Sequence, residues 1–240
     1  MHYLKLRRTQ LILGAFAVFA LLFAEVPGID LYVAGLSFKA GTFDHDKGWQ
    51  IFLHYSLTYF LVASSLAIVG IYTYNLARRC KVLDVDGKRV LFVFLVLFLG
   101  AGLTVNVVLK DNFGRARPRD IVEFGGSKMF TPAFVVSHEC RKNCSFSSGD
   151  AAAAFFAMAL VRALSRRRAL MLAAFAYGAI VSVGRIYSGA HFLSDTVVSF
   201  FVMLVIGDAL YHFMLRSAAD REGVSLADPG LKATYAADSH

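Results

Sequence analysis

Apolar residues arrive in this chain in blocks long enough to cross a lipid bilayer, and that limits the fold before any motif is read. Spanning a hydrocarbon core of about 30 Å takes roughly 20 helical residues. Six blocks stand out, at residues 10–26, 51–77, 90–109, 149–164, 169–187 and 191–215. The second, third and sixth meet that length. The fourth is short before Arg162, and the fifth is interrupted by Arg185. Composition agrees: 57% of the 240 residues are hydrophobic and 18% charged, against roughly 45–50% and about 25% in soluble domains. The expected fold is all-α, a polytopic bundle of six transmembrane helices over residues 1–215. Residues 216–240, with Pro229, Gly230 and scattered charges, are expected to form a solvated cytoplasmic tail.

The first block admits a second reading. Lys5, Arg7 and Arg8 precede an apolar core with small residues near Ala24, the layout of a secretory signal. Against it, the run is long for a signal core, and Glu25-Val26-Pro27 is a poor cleavage context. Either reading leaves the orientation of the remainder unchanged.

Cytoplasmic loops carry an excess of lysine and arginine, so short loops report orientation. Arg78, Arg79, Lys81, Lys88 and Arg89 separate the second and third blocks, and Arg162, Arg166, Arg167 and Arg168 the fourth and fifth. Residues 27–50 carry only Lys39 and Lys47 against Asp30, Asp44 and Asp46. Both termini are thus expected in the cytoplasm, with 27–50, 110–148 and 187–191 facing outward.

Loop 110–148 breaks the pattern. It is expected outside, yet it holds Lys110, Arg115, Arg117, Arg119, Lys128, Arg141 and Lys142. Cations near a bilayer pair with lipid headgroups, but an anionic substrate is the sharper reason for an excess on the wrong side. The rest of the net charge of +8 sits mostly in short turns. Membrane topology accounts for it, and no nucleic-acid partner is expected. Cys140 and Cys144 share the same loop, where an oxidising compartment permits a disulfide. The alternatives are two free thiols, or a metal site with His138 that lacks a clear fourth ligand. Cys80, in a cytoplasmic turn, is expected as a free thiol.

Three outward segments place polar groups at helix ends. The third block ends at Lys110, with Arg117-Pro118 beyond it. The fourth opens through Ser147-Ser148-Gly149-Asp150. The fifth runs out at Arg185, and His191 opens the sixth with Asp195 one turn later. Singly, each has a bland reading: a cation at a helix end snorkels to the interface, and His191 with Asp195 is an i,i+4 pair. The loop charges put all three on one side.

Together, "K-x6-RP" (Lys110, Arg117, Pro118), a degenerate "PSGH" (Ser147 to Asp150) and a near "SR-x5-H-x3-D" (Gly184, Arg185, His191, Asp195) resemble the signature of the type 2 phosphatidic acid phosphatase superfamily. The likeness runs from about residue 100 to 215 and fits the membrane branch. The stretch "EFGG…FTPAF…C…NCSF" resembles bacterial enzymes described as lipid A 1-phosphatase-like. This resemblance implies an integral membrane lipid phosphatase of a bacterial inner membrane, its active site facing the periplasm. It would hydrolyse a phosphate monoester or pyrophosphate on a lipid headgroup.

Lys110, Arg117 and Arg185 would bind the phosphate, with Ser148 and the N–H of Gly149 at a helix N-terminus adding an anion site. His191 would attack phosphorus to give a phosphohistidine, and Asp195 would accept its other ring N–H. Side-chain cations supply the charge, so no metal or other cofactor is implied. The partners implied are the bilayer and a lipid with a phosphorylated headgroup. Lipid A 1-phosphate, undecaprenyl pyrophosphate, phosphatidylglycerophosphate and phosphatidic acid are all candidates.

One departure bears on the chemistry. Where the signature has the histidine that protonates the leaving alkoxide, this chain has Asp150. Three readings stand: a carboxylic acid kept protonated by desolvation, a helix cap serving a better leaving group, or a site that binds without turnover. Ser147 for proline and Gly184 for serine are milder changes. Two rival functions follow, a lipid-phosphate binder or transporter and a lipid phosphotransferase.

Overall fold

Proline at position 27 ends the first helix, since it has no N–H to continue the ladder. In the computed structural model, which describes residues 2–43 and 48–215, helix α1 (His2–Glu25) is followed by α2 (Gly28–Gly35) at an 84° bend. The expected tail at 216–240 lies outside the described residues. A two-residue hairpin comes next, β1 (Phe38–Lys39) against β2 (Thr42–Phe43). Its turn residues Ala40 and Gly41 both have positive φ, as such tight turns require.

Four long helices follow, with one shorter helix among them. Helix α3 (Gly48–Arg78) is the longest. Helix α4 (Gly87–Val96) is capped by Asp86, whose side chain accepts from the Arg89 N–H at 2.9 Å. It continues through π-helical turns at Leu97–Leu109 into a last short turn, α5 (Lys110–Asn112). Loop 113–148 leads to α6 (Gly149–Leu164), then α7 (Arg168–Tyr187) and α8 (Leu193–Leu210), which ends in π-helical turns to Leu215.

Helix α6 is the axis of the bundle. Ala151, Ala152, Ala154 and Phe156 are fully buried, and α6 packs against α7, α8 and the α4 rod. Small residues permit the approach: a Cβ on Gly178 of α7 would lie 2.2 Å from the Phe155 ring. Arg162 is tolerated at the far end because Asp208 of α8 pairs with it at 2.7 Å and the Tyr211 ring lies 4.1 Å beneath its guanidinium. Outward faces carry Phe52, Tyr59, Leu66, Phe98 and Leu172 exposed, as suits a surface facing hydrocarbon.

The protein is therefore mostly helical and a multi-pass membrane protein. The six expected spans are not all reached on length and apolarity. Among the described residues, Gly48–Arg78, Gly87–Asn112, Arg168–Tyr187 and Leu193–Leu215 qualify, and α1 with α2 makes a fifth only as a bent pair. The block at 149–164 falls short because α6 has 16 residues, about 24 Å at 1.5 Å each. Its alanines are buried against the neighbouring helices.

Candidate active site

The start of α6, the end of α7 and the start of α8 meet at one end of the bundle, under loop 113–148. Ser148 caps α6: its Oγ accepts the Ala151 N–H at 3.3 Å, and its carbonyl accepts the Ser199 hydroxyl at 2.8 Å. Gly149 cannot carry a side chain without movement, because a Cβ would lie 2.6 Å from Asn106 Oδ1. The start of α6 is thereby pressed against the α4 rod.

His191 sits in the turn between α7 and α8, nearly inaccessible. Its Nδ1 lies 2.8 Å from the Ser145 carbonyl and 3.7 Å from Asp195 Oδ2. A carbonyl can only accept, so Nδ1 carries the proton and Nε2 the lone pair. Burial pushes the imidazole below its ordinary value, against the opposing pull of Asp195, which favours the neutral ring.

The expected acceptor of that N–H was Asp195, and the Ser145 carbonyl takes the shorter contact instead. The reason is that Asp195 is committed elsewhere. Its Oδ1 receives Arg115 Nη1 at 2.6 Å, and its Oδ2 receives the Ser145 hydroxyl and the Phe192 N–H. The Phe192 contact is the reach-back of a third-turn-position carboxylate to its helix start.

Arg115 was read in the sequence only as one loop cation, and it is the hub of this wall. It is 1% exposed. Nη2 reaches Asp30 of α2 at 2.8 Å, Nη1 also reaches Ser194 Oγ at 2.8 Å, and Nε donates to the Thr131 carbonyl. The Phe192 ring stacks 4.2 Å from the guanidinium carbon. Asp30 also accepts the Ser194 N–H at 2.9 Å. Nothing in the spacing of Asp30 marks it as a partner. Its signal is a carboxylate in an apolar stretch, which has to be paired when buried.

Two of the expected phosphate ligands, Arg185 and Arg117, are close enough to His191 to act on its charge. Arg185 Nε stands 3.1 Å from Asp150 Oδ2. Arg117 donates Nη2 to the Asn143 carbonyl at 2.8 Å. Its guanidinium is lowered from its ordinary value by burial and by the charges of Arg119 and Arg185. Lys110, at the end of the α4 rod, is close enough to feel the charges of Arg117, Asp150 and Arg185. Three cations around one carboxylate favour an anion among them.

Asp150 has a second neighbour that the sequence reading missed, His54 of α3, with Nδ1 3.3 Å from Oδ2. Burial works against the Asp150 charge, but Arg185, His191 and His54 together outweigh it and hold the carboxyl below its ordinary value. Cys140 and Cys144 are joined as a disulfide with Cα atoms 5.5 Å apart, which removes both sulfurs from a metal set with His138. Cys80 is a free cysteine.

A family profile described as the PAP2 superfamily matches residues 89–218. The chain belongs to the PAP2 superfamily. It is a phosphatase by that membership. The PAP2 match covers every signature residue from Lys110 to Asp195, whereas Asp30 and His54 lie before it. A lipid A 4'-phosphatase of Francisella tularensis subsp. novicida is 30% identical over 217 residues, 87% of this chain and 97% of that one. A lipid A 4'-phosphatase of Rhizobium etli is 32% identical, covering 85% of this chain and 89% of that one. The resemblance to lipid A phosphatases thus holds, with the 4' position in the relatives' names where the sequence neighbourhood suggested position 1. Among solved structures, a transmembrane PAP2 type phosphatidylglycerolphosphate phosphatase from Bacillus subtilis matches at a TM-score of 0.56 and 20% identity. The match covers 84% of this PAP2 chain and 94% of that one, and it speaks for the fold.

Proposed function

We propose that this PAP2 protein is an integral membrane phosphatase that removes a phosphate monoester from a lipid headgroup by way of a phosphohistidine on His191. The single observation carrying the reading is the tautomer: Nδ1 is engaged by the Ser145 carbonyl, so the lone pair of Nε2 is available for attack. Lys110, Arg117 and Arg185 hold the phosphate oxygens. Ser148 and the N–H of Gly149 at the start of α6 add neutral donors.

In the first step, Nε2 forms a bond to phosphorus as the ester P–O bond breaks and the leaving oxygen takes a proton. The ring becomes cationic, and the buried Asp195 behind it stabilises that charge. In the second, water attacks phosphorus, the N–P bond breaks, and inorganic phosphate leaves. Asp150 belongs to the catalytic cluster through Arg185. The cations supply the charge stabilisation, and the reaction is proposed to run without metal.

The names of both relatives favour a lipid A 4'-phosphate as substrate. The loop charges favour a bacterial inner membrane with both termini cytoplasmic and the site facing the periplasm. Purified protein in detergent, given a panel of lipid phosphates with excess chelator, is expected to release inorganic phosphate, and His191→Ala to release none. Substrate bound but not turned over would favour a binder or transporter. Phosphorylated acceptor without free phosphate would favour a phosphotransferase.

A further inference from the structure

The phosphatase reading leaves one proton unassigned. The P–O bond of an alkyl ester breaks readily only if its oxygen is protonated as it leaves, and the group that would do so in the signature is replaced here by Asp150. That carboxyl is poorly suited to give a proton, because Arg185 Nε at 3.1 Å and His54 Nδ1 at 3.3 Å both stabilise its ionised form. The same contact supplies an alternative. A carboxylate accepts, so His54 donates from Nδ1 and presents Nε2 at the opposite edge of the ring.

We propose that His54 is the general acid of this site and that Asp150 is the residue that positions it. An imidazole thus returns to the place where the signature has one, but it arrives from α3 and not from α6.

Two further observations support the assignment. His54 is exposed, its side chain 54% accessible, so its Nε2 is open to a substrate. The second is Gly184, where the signature has serine. A Cβ there would lie 2.9 Å from Leu53 Cδ1 and 3.3 Å from the Trp49 ring. The missing side chain lets α3 close on α7 at the level of Arg185, and His54 is the next residue after Leu53. Gln50, His54, Asp150, Gly184 and Arg185 line one small cleft between the three helices.

Protons and bonds balance through the cycle. His54 Nε2 gives its proton to the leaving alkoxide as the P–O bond breaks, and becomes neutral. Water then bonds to phosphorus as the N–P bond to His191 breaks, its proton passes to solvent, and the neutral His54 ring is reprotonated from solvent. His54 ends protonated, ready for the next substrate, with Asp150 Oδ2 on Nδ1 throughout.

The inference rests on the phosphatase reading, and leaving-group dependence separates the two. Two phosphate monoesters with matched acyl tails are needed, one leaving as an alkoxide and one as a nitrophenolate. On the alkyl ester, His54→Gln is expected to lose about 10²–10⁴-fold in kcat, the usual worth of a general acid. On the nitrophenyl ester it stays within about threefold of wild type, since that leaving group needs no proton. Retained turnover of the aryl ester also shows that the variant is folded. Asp150→Asn shows the same asymmetry at smaller size. Equal losses on both esters, or no loss on either, overturn the role of His54. Wild type inactive on both, or His191→Ala still active, overturns the phosphatase reading and this proposal with it.

Discussion

Arg115 Nη1 lies 2.6 Å from Asp195 Oδ1, and both side chains are sealed from solvent. With Asp30 on its other nitrogen at 2.8 Å, this one guanidinium ties α2, loop 113–148 and the start of α8 into the wall behind His191. Breaking a buried pair from one side strands the remaining charge, at a cost of about 3–5 kcal/mol. Arg115→Met is therefore expected to lower the unfolding midpoint in detergent sharply. Arg115→Lys should not rescue it, because a lysine ammonium cannot reproduce a planar fork that serves Asp30, Asp195, Ser194 and the Thr131 carbonyl at once.

Gly149 tests how tightly the start of α6, the proposed anion site, is held. A methyl at this position meets Asn106 Oδ1 at 2.6 Å, and such overpacking costs about 1–3 kcal/mol. Gly149→Ala is expected to destabilise by that order and to raise KM. Pairing it with Asn106→Ala should recover part of the loss, seen as a coupling energy of about 1 kcal/mol in a double-mutant cycle of thermal unfolding. Strict additivity would show that the two sites do not press on each other.

The disulfide between Cys140 and Cys144 encloses Asn143, whose carbonyl accepts from Arg117 at 2.8 Å. Closing so short a loop restrains the unfolded chain by about 2 kcal/mol. Cys140→Ser with Cys144→Ser is expected to loosen Arg117 and raise KM several-fold, on the order of 1 kcal/mol of lost binding, with kcat little changed. A fall in kcat at constant KM would place Arg117 in the chemical step alone.

Burial holds the His191 imidazole below its usual value of 6.5, so the folded protein takes up its proton less readily than the unfolded chain. Between the folded value and 6.5 the unfolded state binds more protons, and the stability that neutral His191 contributes is lost as pH falls through that window. The same proton would silence His191 as the proposed nucleophile. The acid limb of kcat/KM assigned to His191 is expected below pH 6.5, and a limb centred above it would contradict the neutral, buried imidazole.

The membrane blocks and the signature around Lys110, Arg117, Arg185, His191 and Asp195 were legible because apolar length and charged helix ends leave a mark along the chain. What was hidden depends on contacts between distant segments. Asp30 and Arg115 are 85 positions apart, and His54 and Asp150 are 96 apart; no periodicity joins them. Hydropathy marks block 149–164 as apolar without distinguishing lipid from protein as its surroundings. The alanines of α6 are buried against other helices. The Ser145 carbonyl, a nearer neighbour of His191 than Asp195, was hidden for a different reason, since every residue carries a carbonyl and Ser145 has no mark of its own.

The most direct test of the account is to trap the intermediate. Wild-type protein mixed with lipid phosphate, quenched within the first turnovers under alkaline conditions and digested, is predicted to carry a phosphoryl group on the nitrogen of His191, absent from His191→Ala. A phosphoryl group on any other residue would contradict the central claim, as would sustained phosphate release by His191→Ala.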